Sequence, residues 1–269
     1  MKLGISSYTY TWAVGVPGSI PAKPLTAFGI VDKATTLGIK IVQIADNMPV
    51  EKLSDTELVK LRSYAESKGV SLEMGGRGLT IRHTIRCLEK ADIICSPLLR
   101  MVIDTADYEP DTDSVISLIR DLLPEFRKRN IKLAIENHDR LKAREFEKIV
   151  LETDPEIVGI CLDSVNSMGS GEGFGTVSEI LAPYTINLHV KDFSIKRVSH
   201  KMGFVIEGCP AGKGMLNIPE LVRNIDHFSR CRSAILELWT PPEKSFEKTI
   251  VKEEQWALES VQFLKTMLL

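Results

Sequence analysis

The sequence predicts an α/β protein of the (β/α)8 TIM-barrel class, a single domain spanning residues 1–269. Three observations carry that expectation. Eight short runs of β-branched or apolar residues recur along the chain, and segments with helical spacing lie between them. Most intervals from one run to the next are roughly 30 residues, the length of one βα unit. Near-continuous apolar strands alternating with helices fit a parallel sheet covered on its outer face, and eight such units close a barrel at this chain length.

In chain order the runs are LGISSY (3–8), IKIVQIA (39–45), VSLEMG (70–75), LRMVID (99–104), KLAIEN (132–137), VGICLD (158–163), INLHVK (186–191) and AILELW (234–239). Among the helices, 54–68 opens at Ser54, an N-cap residue type. It carries Leu58, Leu61 and Ala65 on one face and stops at Gly69. Residues 111–129 and 142–153 repeat that pattern, and 245–268 forms a long terminal helix. The one long interval, between the seventh and eighth runs, leaves an insertion near 194–216. Rich in glycine and polar residues, it is expected over the barrel mouth as a lid or substrate loop. No low-complexity tract or Pro/Gly/Ser linker divides the chain.

Composition narrows the function classes. An apolar fraction of 43% with 26% charged residues is that of a soluble globular enzyme. A net charge of −2 gives no electrostatic footprint for a polyanion, so no nucleic-acid partner is expected. The five cysteines are scattered and lack a C-x-x-C pair, which argues against a disulfide framework or a cysteine zinc site. With no signal-like segment and no membrane-spanning apolar run, a cytoplasmic protein with no membrane partner is expected.

In this fold the C-terminal ends of the strands line the active site. The fifth run ends in Glu136, the sixth in Asp163, the seventh carries His189 and the eighth Glu237. Taken singly, Asp163 could cap the following helix and His189 could be a hydrogen-bonded core histidine. Together, three carboxylates at equivalent strand ends repel one another unless a cation lies between them. Three carboxylates and an imidazole suit one divalent metal ion, with Mn²⁺ the first expectation and Mg²⁺, Co²⁺ or Zn²⁺ also accommodated. Asp192 or a backbone carbonyl is the expected acceptor for the second ring nitrogen of His189.

The motifs LAIENH, ICLDSVN, LHVKD and AILELW, in that order and spacing, resemble the xylose-isomerase-like TIM barrels. That superfamily includes sugar isomerases, 3-epimerases, inosose dehydratase and endonuclease IV. The resemblance implies that Glu136, Asp163, His189 and Glu237 are metal ligands. It also implies that Glu136 and Glu237 flank a sugar and move protons through an enediolate, as in an isomerase or epimerase. One departure stands out: the epimerases carry a histidine three residues after the sixth-strand aspartate, where this chain has Asn166. The N-terminal stretch SSYTYTWAVGVPG resembles the 3-oxo-isoapionate decarboxylase branch. The alternative it implies is a metal-dependent decarboxylase of a 3-oxo sugar acid, with Lys191 as the cation near the leaving carboxylate. A barrel that binds sugar without turnover, or an endonuclease IV-like nuclease, ranks below both.

Smaller expectations complete the reading. His138, two residues after Glu136, shares its face and would bind a substrate hydroxyl, and Asn166 would also contact substrate. Tyr8 and Trp12 would pack on the apolar face of a sugar. Arg77 would meet an anionic group or lie on the surface. Gly212-Lys213-Gly214 reads as a mobile turn rather than a phosphate cradle. The expected partner is a small sugar or sugar acid, and association into a homo-oligomer is left open.

Overall fold

The computed structural model describes residues 1–268. Ten strands form: β1 (Lys2–Ser6), β2 (Ile41–Ile44), β3 (Ser71–Arg77), β4 (Leu98–Val102), β5 (Lys132–Glu136), β6 (Val158–Asp163), β7 (Thr185–Val190), β8 (Asp192–Arg197), β9 (Phe204–Cys209) and β10 (Ser233–Leu236). Eight of them close a barrel in the order β1–β2–β3–β4–β5–β6–β7–β10, every neighbouring pair parallel. All eight apolar runs are barrel strands, as the sequence predicts. Several strands stop one to three residues before the run does, because the chain turns over the barrel rim there. Glu237 therefore lies one residue past β10, yet its amide still donates to the Val190 carbonyl at 3.1 Å and keeps the side chain in register.

The helices are α1 (Thr11–Val14), α2 (Ala27–Thr36), α3 (Asp55–Ser67), α4 (Ile81–Ile93), α5 (Thr112–Arg129), α6 (Ala143–Leu151), α7 (Phe174–Leu181), α8 (Ile218–Asp226) and α9 (Phe246–Leu264). The long ones wrap the barrel with their apolar faces inward. Helix α3 starts where Ser54 predicts: the Ser54 hydroxyl accepts from the Glu57 amide, and the Glu57 carboxylate accepts from the Ser54 amide, a reciprocal capping box. Leu58, Leu61 and Ala65 are its buried residues. Among the described residues no helix is long and apolar enough to cross a membrane.

The 194–216 insertion contains more order than its composition suggests. Strands β8 and β9 pair antiparallel from Asp192↔Cys209 to Arg197↔Phe204. Beyond the ribbon, the chain folds back around Asp192. Its carboxylate accepts from the amides of Phe193 (2.8 Å), Gly212 (2.9 Å), Gly214 (2.9 Å) and Leu216 (3.1 Å). The Gly212-Lys213-Gly214 turn is thus built around an internal carboxylate, and a β-carbon on Gly214 would come within 2.1 Å of Asp192 Oδ1.

Inside the barrel an unusually polar layer lies below the rim. Gln43 donates to Glu73 Oε2 (3.0 Å) and to Asn187 Oδ1 (3.1 Å), and Asn187 donates to Ser233 Oγ (2.8 Å). Burial pushes the Glu73 carboxyl above its ordinary value, against hydrogen bonds from Ser233 and Gln43 that lower it.

Candidate active site

Strands β5, β6 and β7 and the residue after β10 bring Glu136, Asp163, His189 and Glu237 together, each at most 1% exposed. The register sets this up: Asp163 pairs with His189 across β6 and β7, and Val190 with Leu236 across β7 and β10. His189 Nδ1 lies 3.5 Å from Glu136 Oε2, 3.5 Å from Glu237 Oε1 and 3.9 Å from Asp163 Oδ2.

The outer atoms of these side chains are tied down. Asp163 Oδ1 accepts from the amides of Val165 (2.8 Å) and Asn166 (2.9 Å), so this carboxylate caps the next turn with one oxygen and faces the site with the other. Glu136 Oε1 accepts from Asn166 Nδ2 at 2.7 Å, and Glu237 Oε1 from the Ser6 hydroxyl at 2.9 Å. His189 Nε2 meets Gln43 Oε1 at 2.6 Å. Because the Gln43 amide nitrogen donates elsewhere, its oxygen accepts, the proton of neutral His189 sits on Nε2, and Nδ1 presents a lone pair to the site. Asp192 is not the partner of the imidazole: its carboxylate is filled by four amides, and the glutamine from β2 takes the position instead.

These groups fit a divalent cation. Glu136 Oε2, Asp163 Oδ2, His189 Nδ1 and Glu237 Oε2 are buried and lack an aligned hydrogen-bond partner. Asp163, His189 and Glu237 each offer one ligand atom within 4.8 Å of the others. Cis ligands of an octahedral ion with ~2.1 Å bonds lie ~3 Å apart and trans ligands ~4.2 Å, so the 3.5–3.9 Å separations from His189 Nδ1 are within reach of small adjustments. Glu136, which shares a 4.8 Å group with His189 but not with Asp163 and Glu237, has further to move. The chemistry of the set, oxygen-rich with one imidazole, does not choose among Mn²⁺, Mg²⁺, Co²⁺ and Zn²⁺.

Three cations surround the carboxylates. Lys191 Nζ lies 2.7 Å from Asp163 Oδ2 and 3.0 Å from Glu237 Oε2. Burial alone would lower the pKa of Lys191, but Asp163, Glu237 and Glu136 outweigh it and the ammonium is strongly favoured. The same balance runs the other way at Glu237: burial raises its pKa, while Lys191 and Arg100, joined by His189 whenever its imidazole is protonated, pull it well below the carboxylate range. Arg100, 2% exposed in the middle of β4, directs Nε to Glu136 Oε2 and Nη1 to Asp46 Oδ1 at 2.8 Å. Arg77, at the end of β3, holds the other Asp46 oxygen at 2.9 Å and approaches His138 Nε2 at 3.3 Å. Burial tends to raise the Asp46 pKa, but the two guanidiniums hold it far below normal.

The remaining expected residues line the space above. A cavity of about 510 Å³ is walled by Tyr8, Trp12, Asn166, Lys191 and Trp239, among others. A narrower recess of about 110 Å³ reaches Glu136 and Glu237, with Tyr8, Arg77, His138 and Lys191 also on its wall. The Tyr8 hydroxyl donates to Asp46 at 3.2 Å, and the Trp12 indole N–H to the Thr240 carbonyl at 2.9 Å. Sequence reasoning missed Gln43, Asp46 and Arg100. The signal for Arg100 was present, since an arginine inside the apolar run LRMVID needs a buried anionic partner.

Comparison with known proteins agrees with this fold. A family described as xylose isomerase-like TIM barrel matches residues 31–267. The 3-oxo-isoapionate decarboxylase of Pectobacterium atrosepticum is 34% identical over 266 residues, covering 99% of this chain and 96% of that protein. Among solved structures, D-psicose 3-epimerase from Clostridium cellulolyticum superposes with a TM-score of 0.76 at 15% identity, over 100% of this chain and 99% of that one. A xylose isomerase-like TIM barrel protein from Mycobacterium smegmatis, in complex with magnesium, gives 0.70 at 12% identity, over 97% of each. These two share the fold. The motifs, the closed barrel and the two sequence matches converge, and the chain belongs to the xylose isomerase-like TIM barrel family.

Proposed function

We propose that the protein is a metal-dependent decarboxylase of a 3-oxo sugar acid. One observation carries this choice over a sugar isomerase or 3-epimerase: the site-facing oxygen of each glutamate has a cationic side chain against it, which makes it a poor proton acceptor. Glu136 has Arg100 at Oε2 and Asn166 at Oε1; Glu237 has Ser6 at Oε1 and Lys191 at Oε2. An epimerase needs two carboxylates that exchange protons with carbon on opposite faces of the substrate. Decarboxylation needs no carbon-bound proton removed, only positive charge where the electrons go. The 34% identical decarboxylase supports the same reading.

Glu136, Asp163, His189 and Glu237 would hold the divalent ion. When bound, that ion supplies Lewis acidity to a ketone oxygen. The C1–C2 bond of the 3-oxo acid breaks, its electron pair moves through C2–C3 to the ketone oxygen, and CO₂ departs. Lys191, kept as an ammonium by its carboxylate neighbours, is placed to donate to the oxygen that gains charge. A proton from solvent in the open cavity replaces the carboxyl at C2. Tyr8 and Trp12 bound that cavity and would orient the sugar carbons.

The test is product analysis with Mn²⁺-supplemented protein. Release of CO₂ from a 3-oxo sugar acid, reduced roughly 100-fold or more in kcat by Lys191→Met, supports the proposal. Deuterium uptake from D₂O into ketoses, with every carbon retained and no CO₂ from the acid, would overturn it in favour of the epimerase.

A further inference from the structure

The rim of the site carries a guanidinium that the decarboxylation step leaves without a task. Arg77 sits at the end of β3 with its side chain 33% exposed. Only its Nε is used by Asp46, and Nη2 reaches His138 Nε2. Arg77 also lines the recess that leads to Glu136 and Glu237, and its fork has donors beyond those two contacts. A surface arginine would leave its charge in bulk water. This one is pinned at one edge by a carboxylate that Arg100 also grips, so its plane is fixed.

Charge balance gives the pinned guanidinium a reason. Four carboxylates, Asp46, Glu136, Asp163 and Glu237, face three permanent cations, Arg77, Arg100 and Lys191, one negative charge in excess. A divalent ion reverses this to one positive charge in excess. A largely buried site with unbalanced positive charge favours a monoanion over a neutral ligand of the same shape. Arg100 is enclosed, and Lys191 is engaged by Asp163 and Glu237. Arg77 is the cation with open donors.

We infer that Arg77 is the specificity-determining residue that binds the substrate carboxylate. His138, 3.3 Å away, backs the guanidinium, and Asp46 orients it. The inference rests on the reading of the site as one for a sugar acid and adds the residue that recognises the acid. Fixing the carboxylate at one end would set the C1–C2 bond out of the plane of the ketone, the alignment in which its electrons can pass into the carbonyl.

Calorimetric titration of Mn²⁺-loaded protein with a five-carbon aldonate and with its carboxamide tests this without turnover. Wild type should bind the aldonate roughly 10- to 100-fold more tightly, the worth of a charge-assisted contact. Arg77→Met should reduce that ratio to near one while leaving carboxamide affinity unchanged, and Arg77→Lys should restore part of it. On a 3-oxo acid substrate, Arg77→Met should raise KM more than it lowers kcat. An undiminished preference in Arg77→Met, or equal affinities in wild type, overturns the inference. Arg77-dependent preference with no CO₂ release sustains it and removes the decarboxylase reading alone, so the two failures are distinguishable.

Discussion

Arg100 and Glu136 form an ion pair at the centre of the barrel, 2% and 1% exposed, on strands that neighbour each other. A buried pair of this kind costs desolvation on both sides, and its survival depends on further partners. Arg100 has Asp46 as its second anion, and Glu136 has Asn166 as its second donor.

Arg100→Met should therefore destabilise the fold by about 3–5 kcal/mol, because it strands Glu136 and half of Asp46 in a buried site. The Arg100→Met/Glu136→Gln double variant should recover part of that loss. Urea unfolding of the four proteins in the cycle measures the coupling. Additive losses would mean the pair contributes nothing as a pair.

Gln43 holds His189 in the tautomer that turns Nδ1 inward. Replacing it with leucine removes that acceptor and leaves the imidazole free to rotate or change tautomer. Wild-type protein should carry about one divalent ion per chain by elemental analysis. Gln43→Leu should bind Mn²⁺ roughly 10- to 100-fold more weakly in competition with a chelating dye. His189→Ala and Glu237→Gln, which delete proposed ligands, should lose more. Unchanged affinity in Gln43→Leu would show that packing alone orients the ring.

Much of this arrangement is legible in the sequence because a parallel strand buried on both faces leaves a continuous apolar run, and a charge at its end is conspicuous. Glu136, Asp163, His189 and Glu237 follow from that rule. The same rule applied to the second and third strands points to Asp46, just past IKIVQIA, and to Arg77, just past VSLEMG. Arg100 and Gln43 are harder to see, because they lie within strands and their partners come from other strands. Which acceptor fixes His189 depends on the stagger of the barrel, which brings Gln43 of β2 across the interior to β7. Local spacing favours Asp192 for that role. Three backbone amides from a fold-back 20 to 24 residues downstream, together with the amide of Phe193, claim it instead.

Glu253 supplies a pH test away from the site. On α9, with no exposed surface, its carboxylate accepts from the amides of Trp12 (2.9 Å) and Ala13 (3.0 Å), which secures the turn that carries Trp12 to the cavity. Burial pushes its pKa up to about 7, despite the lowering effect of those two amides. A carboxyl whose folded pKa lies above its unfolded value favours the protonated native state. Its stabilising contribution is complete below the unfolded value near 4.5 and is lost as pH rises through 7. Relative to Glu253→Gln, wild type should lose roughly 3 kcal/mol of unfolding free energy between pH 4.5 and 8. Parallel stability–pH curves for the two proteins would show that Glu253 does not titrate in this window.

Gly208 gives the last prediction. It lies in β9 where the ribbon crosses Trp239, and a β-carbon there would fall 2.0 Å from the Trp239 carbonyl oxygen and 2.6 Å from its carbonyl carbon. Backbone cannot yield to that overlap as the end of a flexible side chain can, so Gly208→Ala must lift the ribbon off the strand end. A two-stranded ribbon has little stability of its own, and the barrel does not depend on it. The expected result is faster proteolysis within 194–209 and a small change in global melting temperature. Because Trp239 also walls the 510 Å³ cavity, binding of a sugar ligand should weaken in the same variant. Intact resistance to proteolysis in Gly208→Ala would mean that the ribbon slides along Trp239 instead of lifting, and ligand affinity should then be retained.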